Sequence, residues 1–95
     1  MTMPLKTTKF DAAEYLETPD DIAVFLNDAI ENGSPEEFIH ALNTVARSVG
    51  MTKIAKEAGL GRQNLYKALG GEAQPEFATI FRVIKAAGVK LQIAA

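Results

Sequence analysis

Along most of this chain apolar residues recur at intervals of three and four, the spacing that keeps one face of a helix apolar. Ile22, Phe25, Leu26, Ala29 and Ile30 make one stripe and predict a helix over about residues 19–32, ending at Asn32-Gly33. Phe38, Ile39, Leu42, Val45, Ala46 and Val49 make the next and predict a helix near 35–49, stopped by Gly50. In "MTKIAKEAG", Ile54, Ala55 and Ala58 share one face of a very short element that stops at Gly59. After Leu60 and Gly61, Leu65, Ala68 and Leu69 point one way, and Arg62, Gln63, Tyr66 and Lys67 point the other. Phe77, Ile80, Phe81 and Ile84 mark a last helix near 75–87, ended by Gly88.

The tail breaks this rhythm. "VKLQIA" alternates Val89, Leu91 and Ile93 with Lys90 and Gln92, a period of two that predicts a strand over residues 89–94. No other strand is visible, and a lone strand needs a partner for its backbone. Antiparallel pairing with the same segment of a second chain predicts a homodimer; folding back against the last helix is the competing expectation.

Helix starts are marked by residues that satisfy or do without the first N–H groups. Thr18-Pro19, Ser34-Pro35 with Glu37, and Gln74-Pro75 each put proline where its missing N–H costs nothing. Asp11 with Glu14 suggests a further start, and Phe10 and Tyr15 are expected to staple that first helix to the core. The expected fold is therefore an all-α single domain over residues 1–95, with five or six helices, acidic N-terminal helices over 11–32 and the C-terminal strand.

Composition limits the chemistry. With 95 residues, 47% hydrophobic and 23% charged, the chain suits a small folded domain that self-association would help. No apolar run approaches the roughly 18 residues of a membrane span, and "MTMPLKTTKF" lacks a signal-peptide core, so a cytoplasmic protein is expected. The absence of cysteine and a single histidine leave little for metal or nucleophilic chemistry. His40 reads as a surface residue, and Asp20-Asp21 and Glu36-Glu37 read as capping and dipole partners in helix first turns. Gly70-Gly71 lacks the strand and Gly-Lys-Ser of a phosphate loop. No catalytic residue, metal or cofactor is expected.

The net charge of −2 conceals an asymmetry. Residues 1–46 carry two cations against nine carboxylates, and residues 47–95 carry eight cations against three carboxylates. One half could face phosphates while the other faces something basic.

Two short helices joined by a glycine turn form the helix-turn-helix pattern, whose second helix enters the major groove. Ala55 allows a close crossing, Gly59 the turn, and Leu60 and Leu65 the anchoring. Arg62, Gln63 and Asn64 then suit base edges, Lys67 lies one turn on, and Tyr66 suits a phosphate or a thymine methyl. Thr52 and Lys53, at the start of the first helix, suit a phosphate. The plainer alternative is a helical hairpin with a solvated polar face.

Together "DDIAVFLNDAIE", "FIHALNTVARSVGMTKIAKEAGLGRQNLYKAL" and "PEFATIFRVIKAAGVKLQI" resemble addiction-module antidote proteins, small helix-turn-helix antitoxins related to HigA and to phage-type repressors of the XRE superfamily. The resemblance implies a lambda-repressor-like helix-turn-helix and a dimeric repressor of its own operon that binds palindromic double-stranded DNA. It also implies neutralisation of a RelE/ParE-like toxin, with no enzyme activity. Gly61 departs from the Ser or Thr cap frequent in such repressors, and "GEAQP" departs from their "NP" segment. Two alternatives stay open: a prophage-type repressor without a toxin, and a protein-interaction module that has lost DNA binding.

Overall fold

The computed structural model describes residues 12–71 and 74–95. Asp11 and Phe10, expected as cap and staple, lie outside the described residues. Residues Ala12–Tyr15 form a 3-10 turn where a helix was expected. So few residues cannot offset the cost of nucleating an α-helix, and Thr18, held extended before Pro19, blocks its continuation. Tyr15 does not staple this segment to the core, because its side chain is exposed; Leu16 packs inward instead. Its carbonyl accepts a hydrogen bond from Ser48 Oγ at 3.0 Å.

Helix α1 spans Pro19–Asn32 and α2 spans Pro35–Val49. Both open with reciprocal capping boxes. The Thr18 hydroxyl accepts from the Asp21 N–H at 3.1 Å, while the Asp21 carboxylate accepts from the N–H groups of Glu17 and Thr18. Ser34 and Glu37 repeat the exchange at 3.2 and 2.7 Å. A cap of this kind contributes about 1 kcal/mol. Between the two helices, a Cβ on Gly33 would stand 2.7 Å from the Ala29 carbonyl oxygen, so the link can be this tight only with glycine.

Gly50, at φ +121°, ends α2 and begins α3, Met51–Ala58. Helix α4 spans Arg62–Leu69 and α5 spans Phe77–Ala86. The last helix starts two residues later than Pro75 would allow, because Glu76 is extended and its carbonyl accepts the first bonds, from Thr79 and Ile80. Helix α2 is the hub, packing against the 3-10 turn and every other helix. Leu42 and Val45 of α2 meet Ile54, Leu65 and Val83 in the core, where these are the largest fully buried side chains.

The described residues contain no strand, so the expected one over 89–94 is absent from the single chain. A ladder needs a second strand, and the described residues, whose elements are all helical, offer none. Val89 packs on the core, and residues 89–92 line one groove with Phe81 and Lys85 of α5 and another with Ala23, Asn27 and Ile30 of α1. The expected stripe of α5 is also corrected. Ile80, Val83 and Ile84 are buried, but Phe77 and Phe81 are exposed.

Candidate nucleic-acid interface

Helices α3 and α4 are joined by a turn whose geometry follows from Gly59. At φ +73° and ψ 31° it adopts the left-handed conformation that side chains resist. The Gly59 N–H donates to the Lys56 carbonyl at 3.2 Å and the Leu60 N–H to the Ala55 carbonyl at 2.9 Å, which together satisfy the open end of α3. This is a Schellman closure, and Leu60 packs against the core cluster that includes Ala55.

From Leu60 the chain enters α4 through Gly61, which is extended at φ −68° and ψ 149° and makes no side-chain cap. Leu65 and Leu69 are buried, which fixes the rotation of the helix and leaves Arg62, Gln63, Asn64, Tyr66 and Lys67 exposed on the rest of its surface. Arg62 and Tyr66 are brought into contact. The Arg62 guanidinium donates to the Tyr66 hydroxyl at 3.3 Å and lies 5.6 Å from the ring centroid. Thr52 and Lys53 are exposed in the first turn of α3.

Lys56 escaped the sequence analysis. It is exposed one turn from Lys53 on the same helix, and that three-residue spacing was the available signal. Residues 51–69 thus carry Lys53, Lys56, Arg62 and Lys67 against Glu57 alone. Such a surface can hold phosphates through its cations and read base edges through its amides and guanidinium. No described group of histidine and acidic side chains could hold a metal ion, and His40 is exposed.

The opposite charge gathers elsewhere. Helix α1 carries Asp20, Asp21, Asp28 and Glu31 and no cation. Asp21 is committed to the capping box and Asp28 accepts from Asn32 Nδ2 at 2.8 Å, while Asp20 and Glu31 project from the exposed surface around Val24.

A family described as "probable addiction module antidote protein" matches residues 6–95, and the chain belongs to it. An uncharacterized protein of Haemophilus influenzae is 40% identical over 93 residues, covering 98% of this chain and 94% of that protein. No solved structure matches. Membership assigns the chain to a non-enzymatic class whose counterpart is a toxin. No helix among the described residues is long and apolar enough to cross a membrane.

Proposed function

We propose that this antidote is a sequence-specific DNA-binding repressor of its own operon and neutralises a basic toxin of the RelE/ParE type. The observation that carries the DNA-binding half is the α3–α4 unit: a left-handed Gly59 turn, with Leu65 and Leu69 buried and five polar or aromatic side chains of α4 left exposed. In this reading α3 and α4 are a lambda-repressor-like helix-turn-helix. Arg62, Gln63 and Asn64 read base edges, Tyr66 and Lys67 support them, and Thr52 and Lys53 hold phosphate. A dimer would set two such helices about 34 Å apart on a palindromic operator.

The toxin half rests on charge. Helix α1 presents carboxylates without a compensating cation, a surface suited to a partner that itself binds RNA phosphates. The basic α3–α4 surface and the acidic α1 surface lie on different helices, so the two activities draw on separate residues.

Fluorescence anisotropy on DNA from upstream of the gene, against random duplex, tests the first half. The unaltered chain should prefer the upstream DNA, Lys53→Ala should weaken both duplexes alike, and Gln63→Ala should erode the preference. Equal affinity of the unaltered chain for both duplexes would refute sequence-specific repression. Co-expression with a neighbouring small basic protein, followed by copurification and growth assays, tests the second half; failure to copurify or to rescue growth would refute it.

A further inference from the structure

A groove of about 630 Å³ separates the first turn of α2 from the loop between α4 and α5. Its size suits a side chain or a small ligand. Phe38 and Ile39 form its floor, half-buried on the core, with Pro35 and Pro75 beside them and Glu36 and Gln74 exposed at the rim. Neither floor side chain can form a hydrogen bond, so an occupant must bring apolar atoms to them.

Charge says what else the occupant carries. Residues 32–42 and 68–78, the two segments that supply the lining, hold Glu36, Glu37, Glu72 and Glu76 and neither lysine nor arginine. Two of the three carboxylates of the basic half, residues 47–95, fall in the second segment. Glu37 is committed to its capping box, which leaves Glu36 as the carboxylate on the groove itself.

An anion is poorly served at the same place. Pro35 has no N–H, and those of Glu37 and Phe38 donate to the Ser34 hydroxyl at 3.2 Å and the Ser34 carbonyl at 2.9 Å, so the first turn of α2 has little left to offer one. Only Gly33 and Ser34 separate Pro35 from the end of α1, so the groove continues from the helix that carries carboxylates and no cation.

We propose that this groove receives an apolar side chain flanked by lysine or arginine, presented by a basic protein partner. The inference rests on the toxin half of the proposed function and gives that toxin an anchor, where α1 by itself supplies only charge. The apolar side chain covers Phe38 and Ile39 and excludes water, and its neighbouring cation meets Glu36. Charge then steers the encounter, and the buried apolar contact holds it.

Blocked peptides titrated into the isotope-labelled full chain test the chemistry without the toxin. N-acetyl-leucyl-arginine amide should shift the amide signals of Glu36, Ile39, Gly71 and Gln74 with millimolar affinity; N-acetyl-arginine amide and N-acetyl-leucyl-glutamate amide should leave them in place. Glu36→Lys should weaken the first peptide about fivefold at low salt, the scale of an exposed charge pair, with the helical signal unaltered because the side chain is exposed. Shifts confined to α1, equal responses to the arginine and glutamate peptides, or no response at all would overturn the proposal. So would movement of the Gly71 and Gln74 signals in a Lys6→Glu, Lys9→Glu chain without peptide, which would give the groove to the chain's own Leu5-Lys6 and Lys9-Phe10.

Copurification with the neighbouring small basic protein separates the two ideas. Glu36→Lys should lower the amount captured; capture indifferent to Glu36→Lys overturns the groove and spares the toxin reading. Peptide binding with no protein captured by any chain defeats the toxin reading and upholds the groove's chemistry.

Discussion

Arg62 and Tyr66, one turn apart on α4, are coupled through the 3.3 Å bond from guanidinium to hydroxyl and through the ring beneath the cation. The stack restrains a long side chain that would otherwise lose rotamer freedom on reaching a base. Arg62→Ala should therefore cost about 1–3 kcal/mol of discrimination between operator and random DNA, the range of a good bidentate base contact. Tyr66→Phe keeps the stack and should cost less. Competition binding checks both, and an unchanged ratio for Arg62→Ala would remove this face from the readout.

Gly59 has open space where a Cβ would go, with nothing within 4 Å, yet its φ of +73° is in the left-handed region. Gly59→Ala should destabilise the fold by about 1–2 kcal/mol through backbone strain alone. Gly59→Asn should cost less, since asparagine tolerates this conformation better. Urea unfolding of the two variants tests the order, and equal losses would point to packing instead of backbone.

Gly61 offers the opposite opportunity. Its backbone already has the extended shape of an N-cap, and a Cβ there would meet only Asn64 Nδ2, at an ordinary 3.7 Å. Gly61→Ser should stabilise the chain by about 0.5–1 kcal/mol, from the added cap and the less flexible unfolded chain. Thermal unfolding should show a midpoint higher by a few degrees.

Asp20 and Glu31 are the cleaner probes of the acidic surface. Neutralising them to Asn and Gln should slow capture of a basic partner at low salt, with the difference fading as salt rises. Asp21→Asn confounds that test, because the Asp21 carboxylate accepts two N–H groups at the start of α1 and its loss should lower stability as well. Stopped-flow association and a melting curve on each variant separate the effects.

The helices were legible because their signals are local. Thr18-Pro19 and Ser34-Pro35 mark starts, Gly33, Gly50 and Gly59 mark stops, and the three-and-four spacing of Ile54, Ala55 and Ala58 in α3 and of Leu65 and Leu69 in α4 says which side of each helix turns inward. The exposed set on α4 follows from that same rotation. Periodicity identifies an apolar face without saying how wide a neighbour will cover it. Phe77 and Phe81 share the apolar side of α5 with Ile80 and Ile84, yet the core reaches only Ile80, Val83 and Ile84. Tyr15 is left out in the same way, because Leu16 takes the place against α2.

The alternation of Val89, Leu91 and Ile93 is a property of the sequence; whether it becomes a strand is decided by a hydrogen-bonding partner, and none is found among the described residues. Local chemistry thus determined where α1 to α4 begin and end and which side of each turns inward. Tertiary structure alone decided which apolar residues stay in solvent, because burial depends on the area and shape of the neighbouring surface, and none of that is encoded within a few residues of the side chain concerned.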